Sequence, residues 1–154
     1  MGKGKIEVTV ESRMLMDRLL AEFSAEDRYE AGGILGGKDG VITVYAVDKN
    51  QKSQHPCTYI PDVAMLNQII GQWYQEGLVL MGVFHTHHFG IRTLSDGDKA
   101  YIQKIMSTAA QEIHNMYFPI VVMPAKEVVV YTATRTGDRI KIVEEAIVFK
   151  EDQK

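Results

Sequence analysis

The chain has 154 residues and a formal net charge of −3, and this length is typical of one domain, so we predict a single domain over residues 1–154 with 150–154 as a frayed tail. The mildly acidic balance predicts no nucleic-acid partner, and the single cysteine, Cys57, excludes a disulfide within the chain. No apolar run reaches membrane-spanning length and the N-terminus does not resemble a signal peptide, so we expect a cytoplasmic protein without a membrane partner.

The first predicted elements are a strand, a helix and a hairpin. Alternating apolar residues predict the strand at residues 6–10, and Ser12 stands where the N-cap of the following helix is expected. Strands are predicted at residues 30–36 and 41–47, because both runs are apolar and a glycine-rich turn separates them. The polar segment 50–56 is predicted to be a loop.

A second helix and a buried strand follow this loop. The helix is predicted to start at Pro61, and the apolar residues at helical spacing that follow stop at Gly77. Residues 78–84 are largely apolar and uncharged, which is typical of a buried strand. His85 and His87 come directly after this run, two positions apart, so they are expected on the same face of the strand.

A third helix begins shortly after the two histidines. Ser95 precedes apolar residues at helical spacing, and Asp98 lies in the first turn. On its own, Ser-x-x-Asp predicts only a capped helix start. Downstream of His85 and His87, however, Asp98 also becomes a candidate third zinc ligand, because two imidazoles and a carboxylate match the ligand chemistry of zinc.

The remaining chain is predicted to be all strand. Apolar runs place strands at residues 118–123, 127–134 and 140–149, with a turn at residues 136–138 between the last two. The predicted order is therefore β-α-β-β-α-β-α-β-β-β. It indicates an α/β fold with a mixed β-sheet and flanking helices.

Glu30 is a candidate general base. It precedes an otherwise uncharged run in which glycines recur, and glycines inside a strand often mark the close approach of a ligand or another backbone. Taken alone, this segment favours a solvent-exposed glutamate at a strand start. Its chemical role depends on the pattern that it forms with the histidines.

These residues together resemble the JAMM zinc isopeptidases (also called MPN+ or JAB), in their prokaryotic, single-domain form. The resemblance rests on Glu30 before Gly-Gly-Ile-Leu-Gly, and on the ungapped pattern His85-x-His87, seven residues, Ser95, two residues and Asp98. It covers roughly the whole chain. It implies the three-layer-like MPN fold, which is similar to that of cytidine deaminases.

The resemblance also implies the roles of the site residues. His85, His87 and Asp98 would hold one zinc ion per chain, with water as the fourth ligand. Glu30 would take a proton from this water and pass it to the leaving amine, and Ser95 would donate a hydrogen bond to the oxyanion. The implied reaction is the hydrolysis of a peptide or isopeptide bond.

The implied substrate is a ubiquitin-like or sulfur-carrier protein, cut after its C-terminal Gly-Gly. We expect this tail to bind as an added strand in a narrow groove at a sheet edge beside the zinc. His88 and Leu94 stand where many family members have proline, which leaves the identity of the substrate open. Two other functions also stay open: a non-catalytic scaffold of the same fold, and a zinc amidase acting on a small molecule or a carrier-protein adduct.

Overall fold

The computed structural model describes residues 7–27, 29–49, 59, 61–109 and 113–153. In these residues eight strands form one mixed sheet, and three α-helices flank it. The elements are β1 Val8–Val10, α1 Arg13–Ala21, β2 Gly32–Lys38, β3 Val41–Asp48, α2 Val63–Gln75, β4 Val79–His87, α3 Asp96–Thr108, β5 Asn115–Val122, β6 Glu127–Thr136, β7 Arg139–Glu145 and β8 Ile147–Phe149. The predicted loop 50–56 and Cys57 lie outside the described residues.

The strand order places β4 in the middle of the sheet. The order is β7-β6-β5-β4-β2-β3-β1-β8, and β4 runs antiparallel to β2 and parallel to β5. Because both edges of β4 are paired, a peptide cannot join the sheet there. A bound tail therefore cannot add to the sheet at β4, while a groove at another strand edge beside the two histidines stays a prediction.

The predicted last strand, 140–149, is in fact two strands. They are separated only by Ala146, yet β7 and β8 lie at opposite ends of the strand order, so the sheet is curled. After β8, residues Lys150–Asp152 form a 3-10 turn, and the Arg13 guanidinium holds the carboxylate of Asp152 at 2.7 Å. These contacts join residues 150–152 to the start of α1, while the frayed tail expected at 150–154 stays a prediction.

The helix starts follow the capping chemistry of the sequence. The Ser12 hydroxyl accepts the backbone N–H of Leu15 at 3.1 Å, as predicted for the N-cap of α1. In α2 the cap is Asp62 rather than Pro61: its carboxylate accepts the N–H of Met65 at 3.3 Å. The predicted helix start at Pro61 is thus two residues early.

Apolar side chains cover both faces of the sheet, which the central strands require because they are buried on both sides. One cluster packs around α1 and includes Val8, Phe23, Leu35, Phe84 and Val121. The other packs around α2 and α3 and includes Ile34, Leu66, Trp73, Ile102 and Met116. The sheet is therefore sandwiched between helices, and no helix among the described residues is long and apolar enough to cross a membrane.

Gly33 shows how tightly the central strands pack. A Cβ at this position would overlap the backbone oxygen of Ala46 on β3 and lie 2.7 Å from the ring of Phe84 on β4. Glycine is required here by close approach, since real Cβ atoms do not reach such distances.

Candidate metal centre

Three side chains converge where β4 ends and α3 begins. The ligand atoms of His85, His87 and Asp98 all lie within 4.8 Å of one another. The two Nε2 atoms are 2.9 Å apart, and the Asp98 oxygens lie 3.3 Å from that of His85 and 3.0 Å from that of His87. The side chains are 14%, 7% and 21% exposed, respectively, so they form a compact and largely buried group.

The orientation of His87 leaves a lone pair facing this group. Its Nδ1 lies 3.2 Å from the backbone oxygen of Ile91, and because a carbonyl oxygen only accepts, Nδ1 must carry the hydrogen. In a neutral imidazole, Nε2 is then an acceptor and directs its lone pair toward the carboxylate of Asp98. His87 Nε2 and the Asp98 carboxylate are both acceptors and lie 3.0 Å apart, so they need a cation between them, either a proton or a metal ion.

The pKa values of His87 and Asp98 are shifted by the same close approach of imidazole and carboxylate. Burial disfavours the charged form of His87, but hydrogen bonding to Asp98 and the charge of that carboxylate outweigh it and raise the pKa of the imidazole. Burial also works against the charged form of Asp98, yet the hydrogen bonds from His85 and His87 hold the pKa of this carboxyl well below its usual range. The three groups thus stabilise positive charge between them.

The capping box of α3 holds Asp98 in place. The backbone N–H of Ser95 donates to Asp98 Oδ2 at 2.9 Å, and the backbone N–H of Asp98 donates to Ser95 Oγ at 3.0 Å. The capping interpretation and the metal-ligand interpretation of this pattern are therefore compatible in one geometry. The Ser95 hydroxyl acts as an acceptor in the cap and keeps its own hydrogen to donate.

Glu30 immediately precedes the pairing of β2 with β4. The predicted strand 30–36 begins instead at Gly32, because residue 31 bonds partly to a side chain: its N–H donates to Thr86 Oγ1 at 2.9 Å. Gly32 pairs with His85 in the antiparallel register, so Glu30, two residues earlier, lies across from His87.

The carboxyl group of Glu30 is electrostatically coupled to the candidate ligands. Burial raises its pKa from 4.5 to about 7, while the charge of His87 lowers the pKa and that of Asp98 raises it. The backbone N–H of Tyr59 donates a hydrogen bond to this carboxyl. A carboxyl group with a pKa near 7 can both accept and release a proton at neutral pH.

All five residues singled out from the sequence line one cavity of about 550 Å³. This volume lies in the range of small-ligand sites. Side chains of Val83, Ile102 and Phe118 form an apolar part of its wall. The cavity beside the candidate ligands is thus partly apolar, and the narrow groove expected next to the metal stays a prediction.

Two tyrosines of the cavity wall were missed in the sequence. The helical spacing of Tyr101 predicts only a side chain on the apolar face of α3, and Tyr59 lies near the polar segment 50–56, where no pattern indicates a role. The Tyr59 ring covers Gly32, where a Cβ would overlap it, and its hydroxyl donates to Asp48 at 3.0 Å. The only sequence signal for this contact was the glycine itself.

Of the other histidines, His88 and His114 do not join the group. Among the described residues the metal-ligand cluster contains only the three side chains named above, and His88 lies outside it. His114 is exposed, and its backbone oxygen accepts the N–H of Arg135 at 2.7 Å. His55 lies outside the described residues.

Comparison with known proteins shows a likeness of fold. No family model and no curated protein sequence matches the chain. Protein DSY2949 from Desulfitobacterium hafniense is 22% identical in sequence and has a TM-score of 0.64, with 92% of each chain covered. AF2198, a JAB1/MPN domain protein from Archaeoglobus fulgidus, is 18% identical with a TM-score of 0.51, covering 94% of this chain and 100% of that one. The predicted α/β MPN-like fold, a mixed sheet with flanking helices, is thereby confirmed.

Proposed function

We propose that this chain is a zinc-dependent metallohydrolase of the JAMM type that hydrolyses a peptide or isopeptide bond. The observation that carries this proposal is the cluster of His85, His87 and Asp98, whose ligand atoms lie within 4.8 Å in a cavity that Glu30 also lines. The likeness to a JAB1/MPN domain protein supports it at the level of the fold.

The donor set fits zinc. Two imidazole nitrogens and a carboxylate oxygen are ligand types of catalytic zinc sites, which take three protein ligands and keep one position open. The backbone oxygen of Ile91 behind His87 and the Ser95 N–H behind Asp98 orient these ligands from outside the cluster. When bound, zinc supplies a Lewis acid that polarises a carbonyl group and lowers the pKa of a water molecule to about 7.

The residues of the chain supply the rest of the chemistry. Glu30, whose pKa is about 7, accepts the proton of the attacking water and then donates it to the leaving amine. The Ser95 hydroxyl donates to the oxygen on which negative charge develops as the substrate carbonyl is attacked. The apolar wall of Val83, Ile102 and Phe118 excludes water from the reacting groups.

As the substrate we propose a ubiquitin-like or sulfur-carrier protein, cut after its C-terminal Gly-Gly. Its scissile carbonyl has to enter the cavity whose walls include Glu30, Tyr59, Ser95, Asp98 and Tyr101. Glycine residues can pass between these walls most readily, because they carry no Cβ. Since β4 has no free edge, the cavity walls rather than strand addition would hold the tail.

The test is mass spectrometry of small ubiquitin-like and sulfur-carrier proteins fused through Gly-Gly to a reporter, after incubation with zinc-loaded protein. We expect release of the reporter directly after Gly-Gly, no release by Glu30→Gln that still binds zinc, and none when the last glycine is replaced by valine. Equal cleavage of unfolded casein would contradict the substrate and indicate a general peptidase.

The other outcomes separate the alternatives. A wild-type protein that binds no zinc after purification and reloading would be a scaffold. A zinc-loaded protein that cuts none of the fusions, but hydrolyses small acyl amides in a Glu30-dependent way, would be an amidase. The cavity of about 550 Å³ has room for such a small molecule.

A further inference from the structure

The turn after β4 contains a residue that its backbone geometry disfavours. Phe89 has φ 61° and Gly90 has φ 71°, and the N–H of Ile91 donates to the oxygen of His88 at 3.3 Å. Two central residues with positive φ define a type I′ turn, in which asparagine, aspartate or glycine is favoured at the first central position. A phenylalanine there is an outlier, because its Cβ crowds the backbone in the left-handed region.

A second turn in the same sheet shows the favoured chemistry. Asp39 and Gly40, between β2 and β3, have φ 55° and 77°. Asp39, at the first central position, is one of the residues that a type I′ turn prefers there. The chain therefore uses aspartate in a hairpin turn away from the candidate site, and phenylalanine in the turn beside it.

Packing within the chain does not compensate for the backbone cost at Phe89. Phe89 is 91% exposed, more than any other large hydrophobic residue in the described part of the chain, and its one described ring neighbour is His88 at 6.0 Å between centroids. The turn itself is held firmly: the N–H of Gly90 donates to Met123 O at 2.9 Å, and the N–H of Met123 donates to His87 O at 2.8 Å. The ring is thus presented to solvent on an ordered backbone.

The exposed ring is close in sequence to the candidate metal centre. It lies two residues after His87, and Ile91, which is 50% exposed, lines the cavity and accepts a hydrogen bond from His87. A protein whose C-terminal tail reaches the cavity must bring its folded body over the surrounding surface. Phe89 and Ile91 form an apolar part of that surface.

We propose that Phe89 is a recognition residue for the folded body of the substrate protein, packing on an apolar patch beside the tail that is cut. This inference rests on the proposed function and adds to it a contact outside the cleavage site. Backbone outliers that the fold does not need occur where function needs them, and aromatic side chains dominate the binding energy of many protein interfaces.

The experiment compares Phe89→Asn with the wild type on two substrates. One is the Gly-Gly fusion that the zinc-loaded protein cuts best, and the other is a fluorogenic peptide with only the last residues of its tail. We expect KM for the folded fusion to rise about tenfold or more with little change in kcat, while kcat/KM for the peptide stays constant. Because asparagine suits the turn, Tm should rise by about 2–4 °C.

Matched variants locate the effect. Phe89→Tyr keeps an aromatic ring and should retain the KM of the wild type for the fusion. Tyr74→Ala removes an aromatic residue on α2 that is 65% exposed. This variant should leave both KM for the fusion and kcat/KM for the peptide unchanged.

Three results would overturn the inference. These are an unchanged KM of Phe89→Asn for the fusion, an equal fall in kcat/KM for both substrates, or a fall in Tm, which would show that the ring stabilises the fold. A wild-type dimer that Phe89→Asn dissociates would assign the ring to a second copy of the chain instead. If the wild type cuts no Gly-Gly fusion at all, it is the proposed function that fails.

Discussion

Replacing Glu30 by glutamine should stabilise the metal-free protein at neutral and alkaline pH. Burial raises the pKa of Glu30 from 4.5 to about 7, so the folded protein holds this proton up to a higher pH than the unfolded chain does. Stability therefore falls as the pH rises from about 4.5 to about 7, and the full cost is present above that range. Below pH 4.5 both states are protonated and the cost vanishes.

The size of the effect follows from the pKa values. One pKa unit corresponds to about 1.4 kcal/mol, so the buried charge of Glu30 costs the folded state about 3 kcal/mol at pH 8. Glutamine has similar size and carries no charge. For a domain of this length, we expect the metal-free Glu30→Gln variant to unfold about 6–12 °C above the wild type at pH 8.

The assay is thermal unfolding by circular dichroism in EDTA, from pH 4 to pH 8, for both proteins. Other titrating groups contribute to both, so the difference between the two Tm values isolates Glu30. It should be near zero at pH 4 and grow to its full value above pH 7. Adding zinc should shrink it, because a cation near the carboxylate favours its charged form.

A difference in Tm that does not change with pH would refute the reasoning, because it would mean that Glu30 titrates alike in the folded and unfolded states. A variant less stable than the wild type at pH 8 would show that its carboxylate makes net favourable contacts in the fold. Either result would also remove the physical basis for a proton acceptor with a pKa near 7 at this position.

Four further predictions test the site and the packing of the chain. Asp98→Ala should lose most of the bound zinc, measured by metal analysis after dialysis, whereas Asp96→Ala in the same helix turn should retain one equivalent. Ser95→Ala should keep its zinc, but its kcat should fall about a hundredfold because one oxyanion donor is removed. The variant should also lose about 1 kcal/mol of stability because the N-cap of α3 is removed. Activity equal to that of the wild type would show that Ser95 takes no part in the chemistry. Gly33→Ala should destabilise the protein by about 1–3 kcal/mol or more in denaturant unfolding, since its Cβ would overlap the neighbouring strand. Gly71→Ala in α2, where nothing lies within 4 Å, should stabilise it by about 0.5–1 kcal/mol.

The sequence by itself determined the features that depend on neighbours in the chain. His85 and His87 share a face because strand side chains alternate, and Asp98 faces them because Ser95 caps its helix. The ligand group spans only fourteen residues, so a strand, a turn and one helix start suffice to assemble it.

The tertiary structure decided what depends on distant segments. Glu30 lies across from His87 because β2 pairs with β4, and Tyr59 reaches the cavity because Gly32 leaves room for its ring. Likewise, β4 has no free edge because β5 pairs with it from a later part of the chain. Strand pairing and the fit of side chains across a sheet depend on the packing of the whole domain, which local periodicity and capping patterns do not specify.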